Sequence, residues 1–464
     1  MASIISTGIG SGLDIAGLVQ QLVAAEGQPV QNRLGLQEAR AQAQLSAFGT
    51  LQSSLAEFRD TLETMKDLSS FLQRKAASSN ESVFTVSVDE SALPADYSIE
   101  VEQLATAQKL TSGEFTDSDT VVGTGTLTIS VGDDSFELVI DDTNNTLAGI
   151  RDAINSALDN TGVAATIVNA DAGSHLILTG LVTGSANAIT VAEAGGDGGL
   201  DALVYDPDGP PGQNSLTETS AAQDSQVLID GFQIVGSTNT VTGAIDGVTI
   251  NLVSEAPKAP EALLVENDDS AVRSTLDKFV ETYNTLVDNL DQLTAYNAEA
   301  ETAAPLLGDA TMRSIRDQLR REMSDAINSS SLTFSTLREI GIETQLDGKL
   351  SIVEDEISTV LADDFEQVGQ FFASSDGYGS RLFQLVDRFL QTDGIIETRT
   401  EGLNTTIEDI NDQRAALNER LGVFETRLLR QFNALDALVG QLTNVSNFLT
   451  QQLASLPTVS GANN

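Results

Sequence analysis

The sequence predicts an α+β, multidomain protein in which a helical coiled-coil stalk, built from both chain ends, carries inserted β-rich head domains. Apolar residues at heptad spacing run through the C-terminal stretch from Leu403 to Leu456. The same spacing recurs near residues 48–72 and 272–293, whereas residues 80–265 alternate in the manner of strands. A seven-residue repeat requires a partner helix and alternation requires a sheet, so the stalk lies at the ends and the head in the middle.

The C-terminal heptads define one narrow seam. With Ile407 at an a position, thirteen of the sixteen a and d positions are apolar. The a positions are Ile407, Arg414, Leu421, Leu428, Leu435, Leu442, Leu449 and Leu456, and the d positions are Leu403, Ile410, Leu417, Phe424, Gln431, Leu438, Val445 and Gln452. At about 1.5 Å per residue the repeat predicts a helix roughly 80 Å long. This length favours an assembly of rods; a long helix packed inside its own domain is the alternative.

The N-terminal end carries a weaker helical pattern. Asp14 is predicted to cap a helix that Gly27 and Pro29 end. Its apolar face consists of Leu18, Val19, Leu22 and Val23. This face lacks the bulk for a core of its own, so we expect residues 1–40 to be loose in the free protein and ordered by a partner. A long stalk helix is predicted over residues 41–75.

Strands and turns dominate the middle of the chain. Strands are predicted at 83–88, 97–101, 126–140 (split by Gly132-Asp133-Asp134), 163–168, 175–179, 188–191, 227–229, 232–235 and 248–253. Asp230-Gly231 and Asp246-Gly247 have the turn chemistry of hairpins. Thr146 is predicted to cap a short helix, and residues 195–212 to form a long exposed loop.

These patterns divide the chain into four parts. The predicted parts are terminal helical legs at 1–40 and 430–464, a helical stalk domain at 41–77 and 266–429, a β-rich head domain at 78–112 and 222–265, and an outer β-rich head domain with a short helix at 113–221. The legs are expected to be disordered when free and helical in an assembly.

The chain is strongly acidic, with a net charge of −44 over 464 residues. Residues 81–270 hold 31 acidic and three basic residues, a net charge of −28. Such a surface repels nucleic acid and anionic membranes, so both are excluded as expected partners. There is no cysteine. No stretch approaches the roughly 18 apolar residues of a membrane span, and no cleaved secretory signal is visible.

No motif indicates catalysis, a cofactor or a metal. His175 is the only histidine and lies in an apolar strand run, where a structural role is expected. Asp206 and Asp208 resemble the start of a calcium loop, but Thr217 stands where such a loop requires a bidentate Glu. We therefore expect a protein that is not an enzyme and binds no cofactor.

The candidate site is instead the apolar seam at the two chain ends, which requires a partner to cover it. A narrow apolar stripe is marginal in water until a partner covers it. The candidate partner-binding residues are Ile9, Leu13, Ile15, Leu18, Val19 and Leu22 in the first leg, and Leu428, Leu435, Leu438, Leu442, Val445 and Leu449 in the second.

Several blocks, in order along the chain, resemble the flagellar filament cap proteins, the hook-associated protein 2 family. The N-terminal block is Gly8 to Ile15 with Leu18-Val19 and Leu22, and the next is Tyr97 to Val101 with Leu104-Ala105 and Gln108 to Leu110. Leu147 to Val168 is similar to a repeat shared with flagellins. Ile229 to Phe232, Thr238 to Thr240, Gly247 to Ile250 and Leu306 to Asp309 resemble further blocks of the family.

The resemblance implies a secreted assembly factor at the distal tip of the bacterial flagellum, exported without a cleaved signal. It implies a ring-like homo-oligomer, a pentamer as the first stoichiometry, that promotes folding and insertion of flagellin. Hook-associated junction proteins and an export chaperone are further implied partners. The alternatives are another axial flagellar protein (a junction protein or a flagellin) and a glycan-binding adhesin; a secreted hydrolase ranks below both.

Overall fold

The structure is a computed structural model that describes residues 12–210, 212–327 and 332–455. The chain divides into two compact units. The helical unit comprises Met1–Leu68 with Ser274–Asn464, and the β unit comprises Ser69–Arg273. Two residues of the predicted seam, Ile9 and Leu456, lie outside the described residues.

The helices account for the heptad patterns. They are α1 (Ile15–Met65), α2 (Leu147–Ser156), α3 (Asp269–Thr294), α4 (Ala310–Ser324), α5 (Glu354–Ala373), α6 (Tyr378–Leu390) and α7 (Ile395–Ala454). At 60 residues, α7 extends roughly 90 Å at about 1.5 Å per residue. The long C-terminal helix predicted from the heptads is therefore confirmed.

The strands fall into small antiparallel sheets. They are β1 (Arg74–Ser78), β2 (Phe84–Val88), β3 (Ala95–Gln103), β4 (Lys109–Thr111), β5 (Gly125–Val131), β6 (Asp134–Ile140), β7 (Val163–Asn169), β8 (Ser174–Gly180), β9 (Ile189–Ala194), β10 (Thr217–Ser220), β11 (Ser225–Ile229), β12 (Phe232–Gly236), β13 (Thr240–Ile245), β14 (Val248–Leu252), β15 (Glu261–Asn267), β16 (Tyr296–Asn297), β17 (Thr302–Ala303), β18 (Ile342–Thr344) and β19 (Leu350–Ile352).

The helical unit is built around α1, which packs against α6 and α7. One heptad row of α1 is buried throughout: Gly27, Leu34, Ala41, Phe48, Leu55 and Leu62. Aromatic rings pack beside this row. The ring centroid of Phe58 lies 5.9 Å from that of Phe279 and 5.7 Å from that of Tyr283. This packing explains why α1 is stable although much of its length is polar.

Two tyrosines, Tyr283 and Tyr378, are buried in the helical unit. Burial raises the pKa of both Tyr283 and Tyr378 to about 12. The hydroxyl of Tyr378 donates a hydrogen bond of 2.9 Å to the carbonyl oxygen of Asp325. Both phenols are therefore held neutral well above the pH at which an exposed tyrosine ionises.

The prediction that Gly27 and Pro29 end the first helix is wrong. Asp14 does cap it, accepting a 3.0 Å hydrogen bond from the backbone nitrogen of Gly17. The helix then continues without interruption to Met65. Pro29 removes one backbone hydrogen bond, but Gly27 is buried against α7, and packing along α7 offsets that loss.

The first core of the β unit lies between two sheets. One sheet has the order β1-β15-β3-β11-β12 and the other β13-β14-β2, and their inward residues share one hydrophobic cluster. The predicted turn at Asp230-Gly231 is confirmed, because both residues have the positive φ angles (50° and 82°) that a tight hairpin requires. Asp246-Gly247 likewise joins β13 to β14.

A second core in the β unit involves α2 and the sheets β10-β4-β8-β7 and β6-β5-β9. Thr146 caps α2 as predicted, accepting a 3.1 Å hydrogen bond from Gly149. Asn160 connects the end of α2 to β7. Its amide donates to the carbonyl oxygens of Ile154 and Val163, both at 2.8 Å, and accepts from two backbone nitrogens at 2.9 Å.

Two features of the β unit differ from the predictions. The expected exposed loop at 195–212 contains a 3-10 helix that buries Leu200 and Leu203, and Tyr205 is buried after it. Strands β1, β10, β13 and β15 were not predicted, and β1 and β15 pair with each other. A short apolar run beside turn residues is ambiguous until a neighbouring strand supplies its hydrogen bonds. The domain boundaries within the head stay a prediction.

Candidate interaction surface on the terminal helices

The site begins as an antiparallel helix pair within the helical unit. A guanidinium nitrogen of Arg414 lies 2.5 Å from a carboxylate oxygen of Glu38. Farther along, Leu421 lies so close to Gly27 that a Cβ there would meet it at 2.6 Å. As residue numbers fall along α1 they rise along α7, so the helices run in opposite directions. The ion pair with Glu38 compensates the charge of Arg414, which occupies a seam position that is otherwise apolar.

The α1 helix covers only the first half of the α7 seam. Leu403, Ile410, Leu417 and Leu421 are buried. Because α1 begins at Ile15, twelve residues before Gly27, it reaches along α7 only to about Asn433 at matched rise. The described residues provide no helix alongside α7 beyond that point.

Past this point the same face of α7 continues uncovered. We call it the exposed stripe, formed by Leu435, Leu438, Val439, Leu442, Val445, Leu449 and Leu453, which are all exposed. Spacings of three and four residues keep these side chains on one side of the helix. The buried and the exposed residues belong to one continuous seam, so the stripe has the chemistry of an interface without its partner.

The surroundings of the stripe are almost uncharged. Residues 431–455 contain one charged residue, Asp436, and otherwise Asn, Gln, Ser, Thr and apolar side chains. Within a chain of net charge −44 this is exceptional. A neutral polar surface can be enclosed by a partner without removing ionised groups from water.

The structure divides the twelve predicted site residues. Those exposed are Leu13, Leu18, Leu22, Leu435, Leu438, Leu442, Val445 and Leu449. Leu428 is half-buried, and Ile9 lies outside the described residues. Ile15 and Val19 are 2% and 1% exposed, because they share the face of Gly27 that packs against α7. These two side chains therefore belong to the core of their own chain, unlike the partner-binding role that was predicted for them.

Other chemistry is not assembled in the described residues. Among them, no group of three or more His, Cys, Asp or Glu side chains is placed to hold a metal ion. His175 lies in β8, with its Nδ1 3.0 Å from the carbonyl oxygen of Ser112, as expected of a structural residue. Within the described ranges, no helix has the length and apolarity needed to cross a membrane.

Comparison with known proteins decides the family. Models of the flagellar hook-associated protein 2 N-terminus and C-terminus match residues 11–108 and 222–444, and a flagellin hook IN motif matches residues 126–181. The chain is 35% identical to the B-type flagellar hook-associated protein 2 of Pseudomonas aeruginosa, over 98% of this chain and 99% of that protein. The chain belongs to the flagellar hook-associated protein 2 family.

Two Escherichia coli proteins agree with this assignment. The flagellar hook-associated protein 2 of strain K12 is 33% identical over 97% of this chain and 98% of its own length. The crystal structure of the flagellar cap protein FliD D1-D2-D3 domains is 32% identical, covers 77% of this chain and 99% of that one, and superposes with a TM-score of 0.65. Membership in the hook-associated protein 2 family supports filament capping over the junction, flagellin and adhesin alternatives, and confirms the α+β, multidomain fold class.

The sequence alone did not explain why the α7 seam is buried in its first half and exposed in its second half. It identified the heptads but not the close approach at Gly27, which allows α1 to continue and bury Ile15 and Val19. A signal was present, because Gly27 stands seven residues before Leu34 in the row continued by Ala41 and Phe48. A glycine at a heptad core position indicates close helix packing when a large partner such as Leu421 faces it.

Proposed function

We propose that this protein caps the distal end of the flagellar filament as a homo-oligomer and assists folding and insertion of flagellin there. The exposed stripe supports the proposal, since it is an interface that this chain alone leaves open. The role requires no catalytic step. A pentamer is the first stoichiometry to test, and export without a cleaved signal, an export chaperone and contacts with junction proteins belong to the same proposal.

The energetics suit a contact that must be made and released. Each leucine of the stripe is already about half covered by its own helix, so docking buries only the remainder. Complete burial of a leucine contributes roughly 1.5–3 kcal/mol, so each contributes about 1 kcal/mol here. Many small contributions along one stripe hold a cap in place, yet can be replaced in turn as a subunit enters beneath it.

The test uses a strain that lacks the gene. We expect flagellin to be lost to the medium and motility to be absent, with both defects reversed by the wild-type gene. A junction protein would give the same leakage, so location is tested separately. The chain has no cysteine, which allows a single dye at Leu158→Cys, a fully exposed position in the β unit. Label at the distal filament ends supports the proposal, and label confined to the hook end contradicts it.

A further inference from the structure

The helical unit contains a small pocket between α3, α4 and the turn that joins β18 to β19. We call it the α3–α4 pocket. Its volume is about 50 Å³, which at roughly 10–15 Å³ for each atom-sized sphere holds about four non-hydrogen atoms. Buried residues form its floor and exposed residues form its rim: Tyr283, Leu290, Leu319 and Gly348 at the floor, and Asp291, Arg320 and Asp347 at the rim. None of these residues belongs to the exposed stripe.

The walls of the pocket are fixed by contacts within the chain. The side-chain amide of Asn284 on α3 donates a 2.9 Å hydrogen bond to the carbonyl oxygen of Leu350 and accepts one of 2.7 Å from the backbone nitrogen of the same residue. The ammonium group of Lys349 lies 2.7 Å from a carboxylate oxygen of Asp288. The turn is therefore held against α3 at two points, so a ligand does not have to order it.

The hydroxyl of Tyr283 has no hydrogen-bond partner among the described residues, unlike that of Tyr378. Tyr283 is only 2% exposed, and it lines the pocket. Burial raises the pKa of Tyr283 and the positive charge of Arg320 opposes that rise, so the guanidinium acts on the same phenol. A buried hydroxyl without a partner costs free energy, whereas one beside a cavity can be satisfied by the molecule that fills it.

Arg320 brings a positive charge to the pocket without a carboxylate of its own. Over the ranges that the structure describes, Arg320 forms no ion pair. Its guanidinium lies over Gly348, where an added Cβ would stand 3.3 Å from a guanidinium nitrogen. Gly348 has a φ of 88°, so this glycine both permits the turn and leaves room for the guanidinium.

The two acidic residues at the rim already have partners. A guanidinium nitrogen of Arg316 lies 2.6 Å from a carboxylate oxygen of Asp291. A carboxylate oxygen of Asp347 accepts a 3.0 Å hydrogen bond from the backbone nitrogen of Lys349 in the same turn. The pocket therefore combines an unpaired guanidinium, a hydroxyl that can donate and an apolar floor.

We propose that the α3–α4 pocket binds a short monocarboxylic acid of the size of acetate, with the carboxylate between Arg320 and Tyr283. The guanidinium and the hydroxyl both donate hydrogen bonds and an ionised carboxylate only accepts them, so the groups match. The methyl group lies against Leu290 and Leu319. The acidic rim and the net charge of −44 repel anions with several charges, so a singly charged acid is the class of ligand that fits.

Titration of the full-length protein with acetate tests the site. Acetate replaces chloride at constant ionic strength, so that screening is the same in every sample, and NMR follows the broadening of the acetate methyl resonance. We expect saturable binding in the millimolar range, because a ligand of about four non-hydrogen atoms makes few contacts. Acetamide has the same shape without the charge and should bind at least about tenfold more weakly. Broadening that does not saturate, or equal binding of acetamide, overturns the proposal.

Substitutions locate the bound acetate. Arg320→Met and Tyr283→Phe should each weaken acetate binding at least about tenfold, and the second variant keeps the ring that packs against Phe58. The matched controls are Arg321→Met, which removes the same charge from an exposed position on α4, and Tyr296→Phe, which removes the hydroxyl of an exposed tyrosine. Both controls should bind acetate as the wild type does.

The outcomes of this series are decisive because Arg320 is exposed, so its substitution leaves the fold intact. Circular dichroism confirms that each variant is folded. Wild-type acetate binding in either pocket variant, or equal weakening in the controls, overturns the proposal. Failure of acetate binding leaves the capping proposal intact, since the pocket and the exposed stripe share no residue.

Discussion

The double variant Leu435→Asp/Leu442→Asp separates the role of the exposed stripe in assembly from any role in folding. These residues are 55% and 60% exposed in the single chain. Polar substitutions at exposed sites usually change the free energy of unfolding by no more than about 0.5 kcal/mol. We therefore expect the variant to unfold at nearly the wild-type temperature.

Docking should respond very differently. Each substitution loses about 1 kcal/mol of apolar burial and adds roughly 2 kcal/mol for enclosing an unpaired carboxylate. Together the two changes weaken docking by about 6 kcal/mol, a factor on the order of ten thousand. Flagellin leakage should then equal that of the deletion strain.

The assay combines thermal unfolding followed by circular dichroism with binding of labelled protein to filament ends. Asn444→Asp/Asn447→Asp is the matched control, since it adds the same two charges on the polar side of α7 with little change of shape. Leu417→Asp is the opposite control, because Leu417 is only 5% exposed and should lower stability by several kcal/mol. Wild-type binding to filament ends by the double variant would refute the role of the stripe.

Three further predictions concern stability. In denaturant titrations, Gly27→Val should lower the free energy of unfolding by roughly 1–3 kcal/mol, because the valine side chain would overlap α7. Gly49→Ala should raise the free energy of unfolding by up to about 1 kcal/mol, because no atom lies within 4 Å of the new Cβ and alanine favours the helix. Asn160→Ala removes four hydrogen bonds and should lower the stability of the β unit by roughly 2–4 kcal/mol; an unchanged melting temperature would contradict its bridging role. The pKa of Tyr283 and of Tyr378 is raised to about 12 in the folded state. Burial of the two neutral phenols therefore adds to the free energy of unfolding below pH 10, and this stabilisation is lost as the pH rises through 12. Absorbance at 295 nm should show these two phenols ionising together with unfolding, and their ionisation near pH 10 in the folded protein would contradict the burial.

Local chemistry was readable from the sequence where one short segment determines the structure. Asp14 and Thr146 cap helices because their side-chain oxygens satisfy free backbone nitrogens nearby. Asp230-Gly231 forms a hairpin because that pair tolerates positive φ. The heptads of α7 likewise predicted a long helix with one apolar face.

The tertiary structure decided which parts of these patterns are covered. The sequence by itself shows one continuous seam in α7, and only the position of α1 determines that Leu417 is buried while Leu442 is exposed. The helix continues through Pro29 because contacts with α7 outweigh a local loss. Periodicity specifies which face of an element is apolar. Whether that face is buried depends on a neighbour that is remote in sequence, and a local pattern does not show where that neighbour packs.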